Sequence, residues 1–115
     1  MDAAGKKRAD IGLYTSEVTL AHKLEHATDT SNTEATWNMR GLPKKLGKGD
    51  EPDRLYFATG GYWRGYFVLS GDILWNPEDD EKPYSLIFDT ASWTPIDPIP
   101  ARRFRGFRYL ENMPH

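Results

Sequence analysis

Residues 55–69 constrain this chain more than any other stretch. Leu55-Tyr56-Phe57-Ala58-Thr59 reads as a strand, Gly60-Gly61 as a two-residue turn, and Tyr62 to Leu69 as the returning strand. Paired glycines accept the positive φ angles that a tight primed turn demands, and the twist of such a turn suits antiparallel neighbours. Gly65, inside the returning strand, predicts a bulge or a close approach of backbone to another group. Further strands are expected at Ile11 to Leu20, at Tyr84 to Phe88 and at Phe104 to Leu110, the last closing the sheet.

The remaining segments offer little helix. His22 to Glu34 contains the polar run Thr28 to Thr33 and reads as an exposed loop. Gly41 and Pro43 limit Trp37 to Leu46 to one short helical turn. Pro95, Pro98 and Pro100 are expected to hold Thr94 to Ala101 extended and outside any central ladder. Residues 1–9, with Lys6-Lys7-Arg8, read as a disordered basic lead, and 10–115 as a single domain. The predicted class is α+β, mostly β, and a small barrel is the natural way to remove exposed strand edges. Fifteen aromatic side chains (4 Trp, 6 Tyr, 5 Phe) must supply much of the core, with Phe57, Phe67, Phe88 and Phe107 as its first candidates.

Composition excludes several kinds of chemistry. With no cysteine, disulfides, thiolate zinc sites and a thiol nucleophile are impossible. No stretch approaches the roughly 20 apolar residues that span a bilayer. The opening MDAAGKKRAD has no apolar leader, so no membrane association and a cytoplasmic location are expected. His22 and His26 stand four apart, but in a poor helical context and without an H-E-x-x-H pattern, so no metal is expected. Gly60-Gly61 lacks the following helix and lysine of a phosphate loop, so no nucleotide cofactor is expected. The carboxylates of Glu78-Asp79-Asp80-Glu81 share one loop, with nothing to separate their roles. No catalytic constellation is legible.

Charge is more informative in its distribution than in its total of −2. Residues 36–71 carry +3 and residues 98–115 carry +3, flanking 72–97 at −6. Within the basic blocks, cations and aromatic rings interleave. Trp37, Asn38, Arg40, Lys44, Lys45 and Lys48 form one group, Tyr62, Trp63, Arg64 and Tyr66 a second, and Arg105 lies in a third with Arg102, Arg103, Arg108, Phe104, Phe107 and Tyr109. Cations neutralise phosphates, and flat aromatic faces stack on unpaired bases at about 1–3 kcal/mol each. The expected partner is therefore nucleic acid: RNA, single-stranded DNA or a modified base. Arg40, Lys44, Lys45 and Arg105 would meet phosphates, and Trp37 and Trp63 would stack.

The order of these motifs resembles the PUA-like superfamily, in particular its ASCH and EVE branches. The resemblance rests on Thr36-Trp37-Asn38-Met39-Arg40, the Gly49-Asp50 turn before Leu55 to Ala58, Gly65-Tyr66-Phe67-Val68, and Pro98-Ile99-Pro100 followed by Phe104-Arg105-Gly106-Phe107. It implies a five- to six-stranded mixed β-barrel with one or two short helices, and a groove that binds RNA or modified bases. By the same resemblance Trp37 and Arg40 would line the groove, with Lys44 and Lys45 near a phosphate. Glu51-Pro52-Asp53 lengthens the turn before the strand. The early lysine and glutamate of hydrolytic ASCH domains have no clear counterpart, Lys23 and Glu25 being nearest but wrongly spaced. Two alternatives remain open: a protein-interaction module, with exposed aromatics and the Glu78 to Glu81 loop facing a protein partner, and a small hydrolase of a modified nucleoside.

Overall fold

A computed structural model describes residues 8–26, 34–111 and 113. The chain runs β1 (Asp10–Tyr14), α1 (Glu17–His26), β2 (Glu34–Met39), β3 (Arg54–Thr59), β4 (Tyr62–Trp75), β5 (Tyr84–Pro100) and β6 (Phe107–Tyr109). The strands form one mixed sheet in the order β2-β5-β4-β3-β1-β6, curled into a half-barrel. Only β1 and β3 pair in parallel; the other neighbours are antiparallel. The fold is mostly β with a single helix among the described residues, in line with the expected class.

The hairpin forms where its glycines place it. Gly60 and Gly61 adopt φ of 59° and 90°, and Thr59 faces Tyr62 across the turn. Gly65 marks both anticipated features. The pairing shifts register beside it on either neighbouring strand, and a Cβ there would lie 2.5 Å from the Thr94 carbonyl oxygen and 2.7 Å from the Trp93 ring.

Both faces of the sheet are covered, and alternation along β3 separates two cores. Leu55 and Phe57 join Ile11, Leu13, Phe67, Leu86 and Phe88 on the first face, roofed by Leu20 and Leu24 of α1. Tyr56 and Ala58 pack with Trp63 and Tyr66 on the second face, covered by Phe104, Leu110 and Met113. Phe57, Phe67 and Phe88 are fully buried and meet at centroid distances of 4.6–6.3 Å, while Phe107 packs at the rim of the first core.

Two segments depart from expectation. Residues 17–26 are helix rather than the end of a strand and the start of a loop. Ser16 caps it: its Oγ accepts from the Thr19 amide at 3.1 Å and its carbonyl accepts from Leu20. Glu17 favours the same terminus, and Leu20 and Leu24, four apart, supply the buried face. Residues 34–39 are strand, so Trp37 to Met39 take no part in the expected helical turn, because Ala35, Trp37 and Met39 alternate inward with Glu34, Thr36 and Asn38. The turn itself lies further on, at Lys44–Gly47, where Gly47 takes φ of 73°.

The proline segment is extended and outside the central ladder, as expected: it is the end of β5 and pairs with β4 on one side, at Gly65↔Pro95 and Tyr62↔Pro100. The strand bends between Asp89 and Thr94, where Ser92 Oγ takes the Val68 amide at 2.7 Å. Before the bend, β5 lies between β2 and β4; after it, no other strand among the described residues joins it. Prolines are tolerated there because that side has no ladder to feed.

Of the expected lead, residues 1–7 lie outside the described residues, but Arg8 and Ala9 belong to the fold. Ala9 is buried, and Arg8 binds Asp10 at 2.9 Å and Glu51 at 2.8 Å. The segment 27–33 of the expected loop also lies outside the described residues. Among the described residues no helix is long and apolar enough to cross a membrane.

Candidate nucleic-acid interface

The connection from edge strand β2 to interior strand β3 passes the opposite edge strand, β6, on its way. Pro43 is fully buried and Leu46 packs on the first core, which holds the intervening turn against the sheet. Asp53, just before β3, fixes its far end. Its carboxylate is buried and accepts from the Gly47 amide through Oδ2 and the Ala9 amide through Oδ1, both at 2.7 Å. A buried carboxylate that receives two backbone donors ties three segments together without needing a cation.

The other partner in this region is β6. Gly106, with φ of 73°, turns the chain into Phe107–Tyr109, which pairs antiparallel with β1. Phe107 and Tyr109 lie opposite Leu13 and Ile11 and meet edge to face at 5.5 Å. The Lys45 amide donates to the Tyr109 hydroxyl at 3.1 Å, and the Lys45 ammonium stands 4.7 Å from the centre of the Tyr109 ring. The two basic blocks, separated by the acidic block in sequence, thus touch in space.

Lys44, Lys45, Lys48, Arg105 and Arg108 are all exposed on the two segments that meet. The ion pairs among the described residues join Arg8 to Asp10 and Glu51, and His22 to Glu25; none engages these five cations. Arg108 points to the second face, with its guanidinium 4.7 Å from the Phe104 ring. Cations held beside rings, with no carboxylate partner, suit a polyanion that also carries flat bases.

The other expected site residues are dispersed. Trp37 is half-buried on β2, edge-on to Phe57 at 5.4 Å on the first face. Lys23 of α1 donates to the Thr36 carbonyl at 2.9 Å and stands 5.9 Å from the Trp37 ring centre; burial lowers the pKa of its amine. Asn38 accepts from the Ser85 hydroxyl at 2.6 Å, and Arg40 is exposed just beyond β2. Trp63 is 8% exposed and packs into the second core against Phe104, so the two indoles lie on opposite faces of the sheet. Arg64 binds the Thr59 carbonyl at the hairpin turn, the end of β3 remote from Asp53.

Lys44, Lys45 and Arg105 are therefore carried by the two segments that meet; Trp37, Asn38 and Arg40 lie toward the opposite edge, and Trp63 and Arg64 belong elsewhere. Tyr109, named in the third basic and aromatic group but given no role of its own, is the ring that stands beside Lys45. Its alternation with Phe107 on either side of Arg108 was the available signal. Among the described residues no three His, Asp or Glu side chains gather as a metal site. No family model matches the sequence, and searches of curated proteins and of solved structures return no match.

Proposed function

We propose that the chain is a nucleic-acid-binding module whose contact surface centres on the Lys44–Gly47 turn and β6. The observation that carries the reading is the junction of Lys45 with Tyr109, which joins two basic blocks into one cationic, aromatic surface. Lys44, Lys45 and Arg105 contact phosphates, and the exposed part of the Tyr109 ring offers a face to an unpaired base. Arg40, Asn38 and Trp37 extend the path toward the β2 edge for a longer strand. A PUA-like, ASCH- or EVE-type relationship is part of the same proposal, supported by the mixed six-stranded curled sheet with one helix.

Single-stranded RNA and DNA are the favoured ligands, because rings beside cations suit unpaired bases and, among the described residues, this surface presents a turn and a three-residue strand rather than a helix. The test is fluorescence anisotropy with labelled oligouridylate and oligothymidylate at low and rising salt. Binding at low salt that weakens with salt, and is weaker in a Lys44→Ala/Lys45→Ala variant, supports the reading. No binding at low salt overturns it.

A further inference from the structure

Beyond Leu69, β4 leaves β3 behind and continues as an arm paired with the start of β5, which β2 flanks on its other side, and the apolar side chains of this arm are exposed. Ile73, Leu74 and Trp75 are 38%, 54% and 66% exposed in direct succession. Ile73 and Trp75 share the face of Leu86, and Leu74 takes the other. At the base of the arm, Ser70-Gly71-Asp72 bulge out between the pairs Leu69↔Phe88 and Ile73↔Leu86. Beside that bulge lies a notch lined by Leu46, Asp53, Leu69, Asp72, Ile73 and Leu86.

The loop closing the arm is acidic and held in one conformation. Asn76 donates its amide to the Pro83 carbonyl at 2.7 Å and accepts from the Glu78 amide. Asp79 accepts from the Lys82 and Glu81 amides at 2.9 and 3.0 Å, and these bonds hold its carboxyl below the ordinary range. Glu78, Asp80 and Glu81 are left exposed, and among the described residues none forms an ion pair. Between Asp72 and Lys82 the arm carries five carboxylates against one lysine.

We propose that this arm is a docking surface for a cationic segment of a partner protein, with an apolar side chain seated in the notch and lysines or arginines facing the acidic loop. Charge complementarity selects this occupant. Two arms of like charge repel, which disfavours arm-to-arm pairing of two copies, and a nucleic acid is repelled for the same reason. A succession of exposed apolar residues ending in tryptophan, bordered by charge, has the composition of an interface centre with its rim.

The test uses short labelled peptides of alternating lysine and leucine, of lysine and serine, and of glutamate and leucine. The full chain should bind the lysine–leucine peptide and discriminate against both others. Trp75→Ala should weaken that binding roughly tenfold or more, as truncation of a central tryptophan does. Asp80→Lys should weaken it with a reduced salt dependence, while oligouridylate binding is unchanged in both variants. Both positions are exposed, and circular dichroism checks that the fold is intact. Equal binding of the lysine–serine or glutamate–leucine peptide overturns the proposal, as does lysine–leucine binding indifferent to both substitutions. Self-association in sedimentation that is abolished by Trp75→Ala would also overturn it, by assigning the arm to a second copy.

Discussion

Trp63 fills the space that a side chain at position 12 would need. A Cβ on Gly12 would sit 2.5 Å from Trp63 Cη2 and 3.0 Å from both methyl carbons of Leu110. Glycine at this point of β1 is thus a packing requirement, since its backbone is ordinary strand. Gly12→Ala should force the indole out of its place in the second core and cost about 1–3 kcal/mol, as overpacking does. Urea unfolding checks this: the midpoint should fall while the slope is kept.

Asp53 supports the site without touching a ligand. Asp53→Ala would leave the Ala9 and Gly47 amides without their acceptor, at about 1–3 kcal/mol for each donor that stays buried. Asp53→Asn keeps one acceptor oxygen and should cost less. Because the turn bearing Lys44 and Lys45 is anchored here, Asp53→Asn should weaken oligonucleotide binding while leaving its salt slope unaltered.

The two lysines should show the opposite pattern. Each phosphate contact on a single strand contributes about 0.7 to the slope of log K against log salt. Lys44→Ala/Lys45→Ala should therefore reduce the slope by about 1.4 if both contact phosphates. Thermal unfolding should hardly change, because both side chains are exposed.

Lys23 predicts a pH effect on stability. Burial lowers its folded pKa below the ordinary 10.5, so between the lowered value and 10.5 the unfolded chain binds the proton that the folded chain has released. Unfolding free energy should rise with pH across that window. The comparison is with Lys23→Met, which lacks the titrating group; the stability of the natural chain relative to the variant should increase as pH climbs toward 10.5.

The hairpin, the role of Gly65 and the phenylalanine core were legible because each depends on local chemistry that few residue types can supply. The capped helix at 17–26 was legible in principle, in Ser16 and the Leu20/Leu24 spacing, but β-branched Val18 and Thr19 and the polar run after His26 obscured it. The alternation of Ala35, Trp37 and Met39 was equally available. Other features were not readable in the same way. Nothing local to Lys45 or Tyr109 says that they meet, because their contact is created by a connection that crosses from one sheet edge to the other. The same holds for Trp63: its partner Gly12 is remote in the chain, so its burial could not be separated from a role in stacking.

The bend in β5 has one further consequence. Past Thr94 this strand has β4 on one flank and no other strand among the described residues on the other, and Pro95, Pro98 and Pro100 within it carry no N–H. An imide nitrogen has no proton to give, so a stray chain laid along that border meets repeated gaps and gains little by staying. Fibrillar growth from concentrated solutions would therefore have to begin at some other rim of the molecule.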